Sequence, residues 1–140
     1  MNEINTIQTE IAENFQLFEE WDDKYEYLLE FITDVKPLKE AEKTEYNLVK
    51  GCQSRIWILS EFRDGKVWYK IDGDALIPKG IAAVLQKILT GRDAESIVKS
   101  DINFQKETGL VKYLSPARVK GIESMILKFK SLAAQHLINN

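Results

Sequence analysis

The residue best suited to covalent chemistry is Cys52, the only cysteine in the 140-residue sequence. It follows the apolar pair Leu48-Val49 and precedes the apolar run 56–59, and both segments have the residue types typical of β-strands. Gly51, directly before the cysteine, permits a sharp turn of the backbone. The pattern predicts that Cys52 lies at the tip of a loop between two strands.

Two interpretations of this cysteine are open. Free cysteine is among the residue types most often buried, so a lone cysteine in an apolar stretch can be a small core residue. Its neighbours favour reactivity instead, because Gln53 and Ser54 supply hydrogen-bond donors and the cations of Lys50 and Arg55 favour the thiolate. The thiolate is the nucleophilic form of cysteine.

The sequence contains few residues that could act as a base for Cys52 or bind a metal beside it. The single histidine, His136, is remote in sequence and is expected to be a polar residue near the end of a helix. One cysteine and one histidine do not form the spaced cluster that zinc requires. A hydrolase that uses His136 as its base is a weaker alternative. A cysteine without base, metal or cofactor can carry sulfur, because sulfur passes between thiols by thiolate attack on sulfur.

Composition limits the classes of protein that need to be considered. The length fits a single domain over residues 1–140. A net charge of -3 and a pI of about 5.3 argue against nucleic acid as a partner. No apolar run approaches the ~20 residues needed to span a bilayer. The first ten residues lack the pattern of a secretory signal and one cysteine cannot form an internal disulfide, so we expect a cytoplasmic protein.

The elements expected to position Cys52 form an α+β fold. Apolar periodicity predicts helices over 4–20 and from Asp22, as a capping residue, to about 35. A charged loop follows over 36–45. Asp64-Gly65 between two β-prone runs predicts a hairpin of strands 55–62 and 67–71, and hence an antiparallel sheet.

Helices are expected to follow this sheet. The first has Pro78 in its first turn and Gly91 as a left-handed cap, and two short pieces cover 93–98 and 102–108. Ser115-Pro116 starts the last helix, which runs towards residue 137 and supplies much of the core. The expected fold class is α+β, a small antiparallel β-sheet with helices packed on one face and the other face more open.

Four segments together resemble the SufE family of cysteine desulfuration proteins, which also includes CsdE. The sequence 49–57, Val-Lys-Gly-Cys-Gln-Ser-Arg-Ile-Trp, is similar to the family's signature around its cysteine. Segments 21–29, 72–75 and 114–118, the last with Gly121, resemble further family segments and occur in the family's order. The resemblance covers most of the chain from about residue 15 to residue 129.

The resemblance implies a fold shared with the iron-sulfur scaffold IscU, although one cysteine cannot supply the ligands of a scaffold. It implies that Cys52 accepts sulfane sulfur as a persulfide from a pyridoxal phosphate (PLP)-dependent cysteine desulfurase of the SufS type and stimulates that enzyme. The sulfur then passes to the SufBCD scaffold for iron-sulfur cluster assembly. In this role the chain is a sulfur-transfer partner without independent turnover, binds no cofactor because the PLP is in the desulfurase, and is a monomer or weak homodimer. We also expect the thiol to be partly shielded from cytosolic thiols.

The resemblance also indicates further site residues. Arg118 is a possible stabiliser of the Cys52 thiolate or persulfide, or equally a solvated arginine on a helix surface. Candidate partner-binding residues are Gly51, Gln53, Ser54, Asp72 and Asp74. The two aspartates are alternatively turn residues whose side chains bond to the local backbone.

Some positions depart from the family's pattern and leave the identity of the donor open, either SufS-like or CsdA-like. The alternative function is a non-catalytic adaptor of a CsdA-like desulfurase in which Cys52 is only structural. The departures are Gly73, Pro78, Ala117, Val119 and Lys120.

Overall fold

Two strands form an antiparallel hairpin in the computed structural model, which describes residues 3–139. β1 spans Ile56–Arg63 and β2 spans Lys66–Gly73. Asp64 and Gly65 in the turn have φ values of 55° and 75°, the left-handed conformations that a two-residue type I′ turn requires. The hairpin predicted from Asp-Gly is therefore confirmed.

The strand predicted before Cys52 is reduced to a single bridge between Leu48 and Trp57. The Val49 amide donates to the Ile56 carbonyl over 2.8 Å, which closes this short pairing. The prediction of a regular strand here was wrong because the chain turns at residues 44–48 and again at Gly51, so only two residues can pair.

Two helices precede the hairpin, α1 over Glu3–Gln16 and α2 over Trp21–Glu30. A 3₁₀ turn over Phe31–Asp34 continues α2 to the predicted end, and another 3₁₀ turn, Glu40–Glu42, interrupts the predicted loop. The predicted cap at Asp22 was wrong. Glu20 occupies the cap position without a side-chain bond, and the Asp22 carboxylate lies in the first turn, where the helix dipole favours a negative charge.

Four α-helices follow the hairpin in the described residues: α3 (Leu76–Leu89), α4 (Ala94–Lys99), α5 (Phe104–Glu107) and α6 (Pro116–Asn139). A 3₁₀ turn over Leu110–Tyr113 lies between α5 and α6. The starts of the four α-helices agree with the predictions. Gly91 has the predicted left-handed φ of 74°, but its amide donates to the Val67 carbonyl of β2 instead of to the preceding helix. No helix in the described part of the chain is long and apolar enough to cross a membrane.

The hydrophobic core lies between one face of the hairpin and helices α3 and α6. Tyr69 joins these layers, because its ring packs edge-on against Phe129 and its hydroxyl donates to the Phe129 carbonyl over 2.6 Å. Burial raises the pKa of the Tyr69 phenol, which therefore remains a hydrogen-bond donor. Fully buried side chains that fill this core include Leu28, Ile56, Ile58, Val67, Ile71, Ile81, Leu85, Ile88, Phe104, Ile122 and Phe129.

The second face of the sheet is open over only part of its length. Lys70 and Glu61 are exposed there, as expected. At the other end, the Trp57–Asp72 pair is buried and residues 38–43 pack over it, with the Lys43 ammonium 5.5 Å from the centre of the Trp57 ring. The expected α+β fold is confirmed. The packing of residues 38–43 over one end of the second sheet face was not predicted.

Close packing of α2 on α3 depends on Gly80. A Cβ atom on Gly80 would lie 2.8 Å from Leu28 Cγ, in the core. We predict that Gly80→Val lowers the free energy of unfolding by about 1–3 kcal/mol, because overpacking forces the two helices apart. Urea denaturation measures this, with Lys87→Ala on the exposed side of α3 as the control. Equal stability of the two variants would contradict the prediction.

Candidate functional site

The loop that carries Cys52 packs directly on α6. Gly51 has a φ of 86°, which favours glycine, and a Cβ atom there would lie 2.8 Å from the Ser124 hydroxyl oxygen. The left-handed backbone therefore favours glycine at this position, and the loop approaches the Ser124 side chain of α6 closely. The sequence indicated that Gly51 permits a bend or a close approach to another surface, and the structure shows both.

The Cys52 side chain is half-buried against the backbone of α6. A Cβ atom on Gly121 would lie 3.4 Å from the Cys52 sulfur, an ordinary van der Waals distance, so the thiol lies close against α6 and a side chain larger than alanine at Gly121 would crowd it. The thiol is thus neither a core residue nor fully exposed. This position agrees with the expected partial shielding.

A small cavity of about 30 Å³ adjoins Cys52. Because one water needs roughly 10–15 Å³ of such space, the cavity has room for a group of about two or three water-sized heavy atoms. Most of its wall is apolar, and the loop, α3 and α6 all contribute to it. The lining residues are Cys52, Gln53, Ser54, Ile77, Pro78, Ile81, Ala117, Arg118 and Met125.

The structure places Arg118 and Cys52 on the same cavity. Arg118 lies in the first turn of α6, where its amide donates to the Ser115 hydroxyl over 3.2 Å. Its side chain is exposed, so the guanidinium lies at the solvent side of the cavity. The Cys52 sulfur lies beside Gly121, more than one turn into α6, so Arg118 and not the helix dipole is the group on this cavity that could attract an anion.

Asp74 closes the base of the Cys52 loop. Its carboxylate accepts the Arg55 amide over 3.0 Å, and its own amide donates to the Arg55 carbonyl over 3.1 Å. Together with the bond between Val49 and Ile56, this pair holds both ends of residues 50–54. The Asp74 side chain does bond to backbone, but the predicted local partner was wrong, because the amide that it accepts belongs to Arg55, which is distant in sequence. Its contact with a partner protein stays a prediction.

Asp72 is buried inside the protein. It lies in β2, not in a turn as predicted, and is only 6% exposed. Its carboxylate accepts the Leu38 and Gly73 amides and pairs with Lys79 at 3.1 Å. Burial alone would raise the pKa of this carboxyl, but the two amides and the ammonium of Lys79 outweigh it and hold the pKa below its usual value. Asp72 therefore joins the 38–43 segment to α3, and its burial does not favour the predicted contact with a partner.

The only histidine in the sequence, His136, contacts strand β1. His136 Nε2 lies 2.9 Å from the Ser60 hydroxyl, and the ring stacks on Phe62 in β1. His136 does not line the cavity beside Cys52. The hydrolase alternative therefore lacks its proposed base. Within residues 3–139 there is also no group of three or more acidic, histidine or cysteine side chains that could hold a metal ion.

Sequence reasoning missed the apolar residues of the cavity. Ile77, Ile81 and Met125 could not be assigned to a common site, because a single sequence does not show which helices meet at the loop. Gly121 was noted only as part of a family segment. A glycine within a strongly periodic helix was the available signal for a close approach at this point.

This geometry defines a class of α+β protein that presents one half-buried cysteine, on a tight loop, to a small apolar cavity with a cation at its edge. The chain belongs to the SufE family. The family, described as an Fe-S metabolism associated domain, matches residues 9–133.

Two relatives and one solved structure support this assignment. The chain is 30% identical over 133 residues to an uncharacterised SufE-like protein of Rhizobium meliloti, covering 91% of this chain and 95% of the relative. It is 37% identical over 129 residues to SufE-like protein 1, chloroplastic/mitochondrial, of Arabidopsis thaliana, covering 91% of this chain and 34% of that longer protein. The solution structure of a hypothetical protein from Thermus thermophilus has the same fold, with a TM-score of 0.78, 22% identity and coverage of 94% and 96% of the two chains.

The bonds of Asp72 predict a pH-dependent contribution to stability. We expect Asp72→Asn to lower the free energy of unfolding at pH 7 by about 1–3 kcal/mol, because buried amides and Lys79 lose a charged acceptor. The folded-state pKa lies below the usual 3.8, so the difference from wild type persists above pH 4 and disappears as the pH falls through the folded-state pKa. Denaturant titrations at several pH values measure this, with exposed Asp23→Asn as the control. A difference independent of pH would refute it.

The contact between Cys52 and Gly121 predicts the reactivity of the thiol. We expect a bulky maleimide to label folded wild-type protein at least about tenfold more slowly than urea-unfolded protein, because the sulfur is half-buried. Gly121→Val should bring the labelling rate of folded protein closer to that of unfolded protein, since the added methyl groups displace the sulfur from α6. Ala134→Val, further along the same helix, is the matched control. Equal labelling rates for folded and unfolded wild type would exclude the shielding.

Proposed function

We propose that this protein is a sulfur carrier for iron-sulfur cluster assembly. Cys52 accepts sulfane sulfur as a persulfide from a PLP-dependent, SufS-like cysteine desulfurase, stimulates that enzyme, and passes the sulfur to a SufBCD-like scaffold. The observation that carries the proposal is the half-buried Cys52 thiol beside a small apolar cavity that Arg118 also lines. Membership of a family associated with Fe-S metabolism supports it.

The proposed transfer is a thiol–persulfide exchange. The Cys52 thiolate attacks the outer sulfur of the persulfide on the donor cysteine, a new S–S bond forms, and the old S–S bond breaks. The donor cysteine leaves as a thiolate and takes up a proton, while Cys52 has given one up. One sulfur changes carrier without net oxidation or reduction, so this chain needs no cofactor for the step.

The cavity suits the product of this exchange. A persulfide extends the side chain by one heavy atom, and the space beside Cys52 accepts a group of that size. Apolar walls from α3 and α6 would exclude water and thiols from the outer sulfur. Arg118 at the edge of the cavity would stabilise the anionic persulfide without closing the cavity.

The remaining parts of the proposal concern what lies outside this chain. PLP stays in the desulfurase, and the carrier has no independent turnover. The carrier acts in the cytoplasm as a monomer or weak homodimer. The donor is SufS-like or CsdA-like, and the departures at Pro78, Ala117 and Lys120 fall at or beside the cavity, where a donor would approach.

One observation favours the alternative of a non-catalytic adaptor. Cys52 packs against the core and against Gly121, as a structural cysteine would. In that case a desulfurase would bind this protein without transferring sulfur to Cys52.

Intact mass measurement separates the two functions. After incubation with a cognate desulfurase and cysteine, we expect wild-type protein to gain the mass of one sulfur atom, in a form removed by a reducing thiol. Cys52→Ser should gain none and should lose stimulation of the desulfurase by at least about tenfold, because the acceptor sulfur is missing. His136→Ala serves as a control and should retain both the gain of sulfur and the stimulation of the desulfurase. No gain on wild type, or full stimulation by Cys52→Ser, would contradict the carrier function.

A further inference from the structure

The first turn of α3 forms part of the wall of the cavity beside Cys52. Ile77 and Pro78 belong to this turn and line the cavity. The turn has no side-chain cap, because Ala75 occupies the cap position and makes no side-chain bond there. The position of this end of the helix relative to the hairpin therefore depends on other contacts.

Lys79 connects this turn to strand β2 and is the only polar residue among residues 76–79. Its ammonium lies 3.1 Å from the Asp72 carboxylate. The stem of the side chain packs on the end of β2, since a Cβ atom on Gly73 would lie 3.2 Å from Lys79 Cβ. Lys79 does not itself line the cavity, so any effect that it has on Cys52 acts through its neighbours in the turn.

The Asp72 carboxylate is held in place independently of Lys79. It accepts the Leu38 amide over 3.0 Å and the Gly73 amide over 2.8 Å, and the Asp72 and Lys79 side chains are both largely buried. Burial acts to raise the pKa of Asp72, but the two amides and the ammonium of Lys79 hold the pKa below its usual value. The ion pair is therefore charged at neutral pH.

The ion pair fixes the position of the helix end more than it stabilises the fold. The attraction between two buried charges is largely offset by their loss of hydration, so the net gain in stability is small. Removing one partner leaves the other charge buried and unpaired, which is unfavourable until water reaches it. Water would reach Asp72 in that state if the first turn of α3 moved away from β2. Ile77 and Pro78 would move with the turn and open the cavity.

We infer that Lys79 is a positioning residue for the Cys52 site. Paired with Asp72, it holds the first turn of α3 where Ile77 and Pro78 close the cavity, and so limits the access of small molecules to the Cys52 sulfur.

For carried sulfur the inference rests on the proposed function, since the shielded group is then the Cys52 persulfide. A small thiolate that reaches this persulfide attacks its outer sulfur and forms a new S–S bond with it. The old S–S bond breaks, and Cys52 leaves as a thiolate that takes up a proton. The carried sulfur is then lost before delivery.

Alkylation of the free thiol in the full chain tests the inference without any partner protein. We expect Lys79→Met to raise the rate at which iodoacetamide labels folded protein at least about fivefold, because the cavity wall is displaced. Asp72→Asn should raise the rate to a similar extent. The double variant should label no faster than the faster single variant, since the same contact is lost in all three. If the two effects multiply, the residues act separately and the inference is wrong.

Matched controls separate positioning from a general loss of stability. Lys79→Arg keeps a cation within reach of Asp72 and should label within about twofold of the wild-type rate. Lys87→Met removes an exposed lysine from the last turn of the same helix and should also stay within about twofold. Ile97→Ala removes buried atoms from α4, away from the cavity lining, and lowers stability without moving the wall. An increase in Ile97→Ala as large as that in Lys79→Met, or no increase in Lys79→Met, would overturn the inference.

The same variants test the shielding of carried sulfur. After loading by a cognate desulfurase with cysteine and removal of both, glutathione should strip the sulfur from Lys79→Met at least about fivefold faster than from wild type, as followed by intact mass. Equal rates of loss would contradict the role of Lys79 in protecting the persulfide. If wild type gains no sulfur at all, the carrier function fails, whereas the alkylation rates still decide whether Lys79 positions the cavity wall.

Discussion

The candidate site depends on the contact between two stretches of backbone, the cysteine loop and helix α6. Gly51 and Gly121 have no side chains at the two points where the stretches meet, and this lets the loop lie on the helix with the Cys52 sulfur between them. The cavity exists because α3 and the first turns of α6 stand apart just beyond this contact. A branched residue such as valine at Gly121 would crowd the Cys52 sulfur, and a side chain at Gly51 would strain its left-handed backbone.

Much of the fold could be predicted from local patterns. Asp64-Gly65 determines the hairpin because both residues tolerate a left-handed backbone, and Ser115-Pro116 determines the start of α6 because a capping hydroxyl and a proline both suit the first turn. The predictions failed where tertiary contacts, and not local residue types, determine the conformation of a segment. The Leu48-Val49 segment has the residue types of a strand, but turns on both sides limit it to one bridge.

The sequence identified a candidate central residue but not the side chains around it. Cys52 was the candidate because the sequence contains no other cysteine, and the structure places the predicted Arg118 on the same cavity. The chemical roles of both residues stay predictions. The apolar wall could not be predicted because it combines residues from three elements whose relative positions no local pattern encodes. Asp72 illustrates the same limit. An aspartate near a glycine suggests a turn, but the amide of Leu38, more than thirty positions earlier in the sequence, buries it.

The closed base of the cysteine loop has a consequence for how fast the Cys52 side chain can become exposed. Hydrogen bonds at Val49–Ile56 and Arg55–Asp74 fix both ends of residues 50–54, and the bond from Tyr69 to Phe129 holds the hairpin to α6. A motion that brings the sulfur out of its cavity can therefore involve five residues and leave the core intact. Loop motions of this size occur in nanoseconds to microseconds, much faster than rearrangements of whole domains. If Cys52 carries sulfur as proposed, this chain would set no slow step, and the rate of sulfur delivery would depend on how long each partner stays bound.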